Sequence, residues 1–191
     1  MPLVESHKPD SHDYGGRGAP SQCALLCLAR LNMLKVMEPT KAKMTDDAIV
    51  SRVEQAVQSK VSRDETLRQA VRLLKAERPH YNWVGVYLLE GDTLVLHNYV
   101  GKPTEHTHIP VGRGVCGTAV AERANQIVDD VTAVGNYLAC SVETRAEIVV
   151  LIRRGDEIFG QIDIDSDTPA AFTAADEALL ARVADRLASQ F

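Results

Sequence analysis

Four cysteines, Cys23, Cys27, Cys116 and Cys140, supply the thiols of this chain, and thiols are nucleophiles, redox centres and metal ligands. Nothing marks the chain as secreted. A reducing cytoplasm would keep all four reduced, so any pair that bridges is expected to be catalytic or regulatory. Cys23 and Cys27 stand four apart in an apolar stretch before Pro39, which lets both leave one face of a short helix. There the plainer reading is a pair of small hydrophobes. Asp163 and Asp165 are two apart in a segment that alternates as a strand, so their carboxylates share a face. Trp83 and Tyr87, four apart on an earlier strand, share one as well, although a lone Trp is more often core. His106 and His108 put two imidazoles on one side of an extended segment. With Cys116 or Cys140 they could bind Zn²⁺, but paired histidines near a loop are more often solvated or hydrogen-bonded.

These residues need a frame. Met44-Thr-Asp-Asp opens a helix, with Thr45 or Asp46 as N-cap, in which Ile49, Val53, Ala56 and Val57 recur at helical spacing. A second helix follows Ser62-Arg-Asp-Glu, a capping-box pattern, with Leu67, Val71 and Leu74 on one face, and Pro79 closes it. Asn82–Leu89 and Thr93–Tyr99 alternate around Glu90-Gly-Asp and form a hairpin. Glu147–Arg154 and Glu157–Asp165 form a second through Gly155-Asp156. A last helix begins after Thr173 and presents Leu179, Leu180, Val183 and Leu187. Between the hairpins, the Gly112-Arg-Gly segment opens a short helix to about Arg123, the strand Gln126–Asp129 follows, and a loop leads to Cys140. Cys116 and Cys140 are both expected in polar loops. The fold class predicted is α+β, an antiparallel sheet flanked by N- and C-terminal helices.

Composition narrows the functional classes. With 45% hydrophobic and 25% charged residues the chain reads as an ordinary globular domain, and 191 residues suffice for one core plus an extension. A formal net charge of -5 without any basic stripe argues against nucleic acid as a partner. No apolar run approaches the ~20 residues of a spanning helix, and the polar opening Met1 to Ser21 lacks the pattern of a leader, so neither membrane nor export is expected. The reading is cytoplasmic. Residues 1-43 are expected to be a disordered or weakly helical extension, residues 44-191 the domain, and Met44 a candidate start.

Tyr81-Asn-Trp-Val-Gly-Val-Tyr-Leu, Ile109-Pro-Val-Gly-Arg-Gly-Val-Cys-Gly-Thr-Ala, Leu138-Ala-Cys140, Glu147-Ile-Val-Val and Ile162-Asp-Ile-Asp-Ser166 occur in an order and spacing that resemble the free methionine-R-sulfoxide reductases. The resemblance runs from about Met44 to the C-terminus. It implies a GAF domain and reduction of the R epimer of free methionine sulfoxide through cysteine, with no cofactor and no metal. Cys140 corresponds to the family's nucleophile, and Cys116 is then the candidate thiol that resolves its sulfenic acid to a disulfide. Glu147, Asp163 and Asp165 correspond to acids that bind and polarise the sulfoxide and hold the substrate ammonium. Three clustered carboxylates should push at least one pKa upward, giving a proton donor. Trp83 and Tyr87 would wall the S-methyl group. A pocket covered by the Gly112–Arg123 segment and the Cys140 loop should admit a free amino acid but no peptide. The implied partners are free methionine sulfoxide, thioredoxin or a small thiol as reductant, and a second copy in a homodimer.

The chain departs from this pattern at one thiol. Ten residues before Cys116, where the family typically has a further cysteine, stands His106; the family's following Arg is His108, and the acid common after the nucleophile is Ser141. Recycling must use Cys116, Cys23 or Cys27, or an external thiol, or it does not occur at all. A non-catalytic GAF sensor of a small molecule or of redox state that kept the pocket is the alternative, since this fold also serves as a ligand sensor.

Overall fold

The computed structural model describes residues 43–133, 135 and 143–191. Cys23, Cys27, Cys140 and Ser141 lie outside the described residues, as does the expected apolar helix before Pro39.

Two helices open the described part. Helix α1 (Asp46–Gln58) is capped by Thr45, whose hydroxyl accepts from the Ala48 amide, and Asp46 and Asp47 lie in its first turn. Helix α2 (Arg63–Glu77) is capped by Ser62 accepting from the Glu65 amide and stops at Arg78, before Pro79. The buried Glu77 receives the Met44 amide at 2.8 Å, fastening the start of α1 to the end of α2. The sheet then begins with strands β1 (Trp83–Glu90), β2 (Thr93–Val100) and the short β3 (His108–Pro110). Helix α3 (Gly114–Glu122) follows, then β4 (Gln126–Val128) and one 3₁₀ turn (Val131–Ala133). The second hairpin is β5 (Ala146–Arg154) and β6 (Glu157–Ser166), and α4 (Ala174–Ala188) closes the chain on a capping box between Thr173 and Asp176.

Six strands form one antiparallel sheet in the order β3-β2-β1-β6-β5-β4. Both hairpins are where the sequence puts them, and β6 lies against β1, joining them. Helices α1, α2 and α4 pack on one face, where Val84, Val86, Ile148, Val150, Ile152, Ile162 and Ile164 meet Ile49, Val53, Leu67, Val71, Leu74, Leu180, Val183 and Leu187. Ion pairs from Arg182 to Asp47 and from Arg186 to Glu54 tie α4 to α1 at the surface. Residues of the opposite parity point the other way. Trp83, Tyr87, Leu94, Val149 and Leu151 form a second apolar cluster, roofed by Val115, Cys116, Ala119 and Val120 of α3. Since side chains alternate along a strand, each of β1, β5 and β6 serves both faces. Among the described residues no helix is long and apolar enough to cross a membrane.

Three differences from the sequence reading have local causes. Strand β3 is absent from that reading because its three residues bury only Ile109, leaving no alternation to detect. Only His108 of the histidine pair is in that strand, so the two imidazoles do not share a strand face. Cys116 is not in a polar loop: it is the third residue of α3, 4% exposed and packed in the second cluster.

Candidate functional site

The face roofed by α3 is apolar at its edges and acidic in the middle. Along β6, Ile162 and Ile164 enter the helical core while Asp163 and Asp165 point to the other side, both essentially without solvent exposure. Pairing supplies the third acid. Glu147 of β5 is the cross-strand partner of Asp165, and Val149 that of Asp163. On the other flank Trp83 faces Asp165, and Gly85 faces Asp163. A methyl group on Gly85 would come within 2.2 Å of the Trp83 ring, so the indole lies across a position that must have no side chain. Trp83 also stacks on Tyr99 at 5.4 Å between centroids, and its ring lies 6.4 Å from that of Tyr87. The pair forms one wall beside the acids, as their spacing implies.

Helix α3 delivers the sulfur. A β-carbon at Gly117 would approach the Pro110 carbonyl oxygen to 2.5 Å, and the Gly112 amide donates to the Gly117 carbonyl at 2.8 Å. That contact seats α3 on the end of β3 and sets Cys116 over the acids. Cys116 Sγ lies 3.8 Å from Glu147 Oε1 as a donor. One side-chain ligand atom each from Cys116, Glu147 and Asp163 fit within 4.8 Å of one another, and all three residues are buried.

Glu147 and Asp163 share a small buried volume, with Asp165 the cross-strand partner of Glu147, so ionisation there is opposed by burial and by like charge. Burial pushes Glu147 well above the ordinary carboxylate range, and the charges of Asp163 and Asp165 push it further. Burial also raises Asp163, to about 7, with hydrogen bonding from Cys116 and Glu147 restraining the rise. Neither oxygen of Asp163 has a close hydrogen-bond partner among the described residues, so these atoms are shared with Glu147 and Cys116 only at longer range. At neutral pH the cluster therefore holds at least one proton next to a sulfur atom. A thiol and a carboxyl of raised pKa beside aromatic rings can supply a reducing sulfur and a proton to a small polar compound. The same three ligand types could also hold a cation once their protons were displaced. Among the described residues neither His106 nor His108 joins such a group. The Tyr87 hydroxyl donates to the His106 carbonyl at 2.8 Å, and the His108 ring contacts the Thr107 hydroxyl.

A recess of about 70 Å³ opens beside this cluster, lined by Asn82, Trp83, Lys102, Thr144, Asp165 and Asp167. A larger groove of about 370 Å³ lies between α1 and α2, but no member of the acid and thiol cluster lines it. The smaller recess is the one that Asp165 and Trp83 line.

Residues 62–191 match the GAF domain family. The chain is 44% identical over 112 residues to the free methionine-R-sulfoxide reductase of Escherichia coli, covering 59% of this chain and 67% of that one. The chain belongs to the free methionine-R-sulfoxide reductase family. Two solved structures of this family superpose on it. The type II free methionine-R-sulfoxide reductase of Thermoplasma acidophilum is 39% identical with a TM-score of 0.64, over 72% of this chain and 94% of that one. The Neisseria meningitidis free methionine-R-sulfoxide reductase, solved in complex with its substrate, is 33% identical with a TM-score of 0.72, over 76% and 87%. For this free methionine-R-sulfoxide reductase family member, the structure brings Cys116, Glu147, Asp163, Asp165, Trp83 and Tyr87 to one side of one sheet. Cys140 lies outside the described residues. Sequence reasoning missed Gly85 and Gly117, whose signal is only that a glycine interrupts a good strand and a good helix. It missed Lys102 too, since a lysine in a turn carries no signal of its own.

Proposed function

We propose that this chain reduces the R epimer of free L-methionine sulfoxide to methionine with electrons from thiols. The observation that carries the reading is the buried acid cluster, with Cys116 hydrogen-bonded to Glu147 on the sheet face that also carries Trp83, in a chain of this family. Reduction needs a nucleophilic sulfur and a proton for the departing oxygen. Cys140 is the nucleophile. Its thiolate attacks the sulfoxide sulfur while Glu147, kept neutral by burial, gives its proton to the oxygen. Asp163 shares that proton, and Asp165, at the recess, holds the substrate ammonium. Trp83 and Tyr87 take the S-methyl group. The oxygen ends on Cys140 as a sulfenic acid, so methionine sulfur gains two electrons and Cys140 loses two. The Cys116 thiol then attacks the sulfenic sulfur, forming a Cys116–Cys140 disulfide and releasing water. A dithiol of the thioredoxin class, or a small thiol, returns two electrons and two protons. No cofactor enters this sequence, and His106 takes no part in it as a thiol would.

The activity belongs to residues 44-191, in the cytoplasm, and the protein works as a homodimer. Stereospecific methionine production from the R sulfoxide, followed by chromatography with thioredoxin or dithiothreitol, tests the reading. No product with either reductant would overturn it, as would equal turnover of a peptidyl sulfoxide. Two variants test the thiol roles. Cys140→Ser should abolish even the first turnover. Cys116→Ser should yield one equivalent of methionine per chain and then stall with thioredoxin, while a small thiol restores cycling. Normal cycling of Cys116→Ser with thioredoxin would remove Cys116 from the mechanism.

A further inference from the structure

We propose that Lys102 is the residue that recognises the α-carboxylate of the substrate and so makes the site select a free amino acid. This rests on the reductase reading above and adds to it the origin of the specificity. The recess beside the acid cluster is small, about 70 Å³ against the ~300–1,000 Å³ typical of pockets that swallow whole ligands. It suits a head group rather than a complete ligand. Its lining is dipolar: Asp165 and Asp167 supply negative charge and Lys102 is the one cation among the lining residues. An amino acid head group has the same two charges, so the acids match its ammonium and Lys102 its carboxylate.

The position of Lys102 is fixed from its backbone. Trp83 Nε1 donates to the Lys102 carbonyl oxygen at 3.1 Å. The preceding Gly101 lies so close to the indole that a β-carbon there would meet the Trp83 ring at 2.4 Å. The wall for the S-methyl group and the lysine are thus held together, one apolar and one charged end of a single subsite. The ammonium already holds a carboxylate, since Lys102 Nζ lies 2.9 Å from Glu143 Oε1. Both side chains of that pair are more than half exposed, at 59% and 51%, and exposed pairs of this kind are weak. A substrate carboxylate replaces Glu143 at little cost. A peptide carries no α-carboxylate at an internal methionine, so it forfeits this contact and leaves the lysine with Glu143.

Calorimetry on the full chain tests the assignment, with free L-methionine-R-sulfoxide and its C-terminal amide as probes, on wild type, Lys102→Met and Lys102→Arg. Lys102→Met should weaken binding of the free sulfoxide about 10- to 100-fold, as loss of one charge-assisted hydrogen bond does, and leave binding of the amide unchanged. Lys102→Arg should restore most of the loss. In steady-state kinetics Lys102→Met should raise KM and leave kcat within about twofold, the signature of uniform binding. Unchanged affinity for the free sulfoxide in Lys102→Met overturns the proposal. An equal loss for the amide also overturns it, because the lysine would then act on the fold and not on the carboxylate. Failure of the reductase reading is separate, and appears as wild type that binds the sulfoxide and releases no methionine.

Discussion

The acid cluster makes a prediction about stability as well as rate. Asp163 is raised to about 7 from an unfolded value near 3.9, so the folded state holds its proton where the unfolded chain has lost it. The associated stability is fully present below the unfolded pKa and is lost as pH rises toward 7. Asp163→Asn removes the titration. Its Tm should equal or fall below wild type at pH 4 and exceed it at pH 8, by about 2–4 °C for each kcal/mol gained. Calorimetric melting at both pH values decides it; a gain confined to acid pH would reverse the sign. Turnover by wild type should fall as pH rises through the neutral range if the cluster's neutral carboxyl supplies the proton, as the proposed mechanism requires. That Asp163 and Asp165 share a face was legible from a two-residue spacing. Their burial was not, because it depends on α3, whose seat on Pro110 no local pattern announces.

At the scale of elements, the caps were readable because they are chemical: Thr45, Ser62 and Thr173 each sit where a helix begins. Both hairpins were readable because alternation and turn residues coincide. What adjoins what was not. Glu147 reaches the acids only because β5 pairs with β6 in the register that sets it against Asp165. Helix α3 depends on a contact that can be broken singly. Gly117 meets backbone atoms, which cannot swing aside, so Gly117→Ala must lift α3 from β3 and cost about 1–3 kcal/mol. It should also displace Cys116 from Glu147. Urea denaturation gives the first effect, and the second is a slower second turnover with an unchanged first. A variant as stable as wild type would show that the helix has another seat.

At the scale of the whole molecule, the Met44 amide donates to the buried Glu77 carboxylate and so ties the start of α1 to the end of α2. A chain starting at Met44 should keep its Tm and its turnover within about twofold, since Met44 is fastened to Glu77 and both apolar clusters of the described residues are built from Met44 onward. Loss of cycling with an unchanged melting curve would give the removed segment, with Cys23 and Cys27, a catalytic part. The sheet itself has a further implication. Each central strand divides its residues by parity, one set facing three helices and the other facing the chemistry. Ile162 and Ile164 pack the helical core, while Asp163 and Asp165 belong to the acid cluster to which the proposed mechanism ascribes the reaction. Heritable change in one set is thereby nearly invisible to the other, so a lineage can exchange its reactive groups without having to discover a stable scaffold again. The protection has one weak point: a single-residue insertion or deletion in β6 would slip its register, trade the two sets at a stroke and lose both properties together.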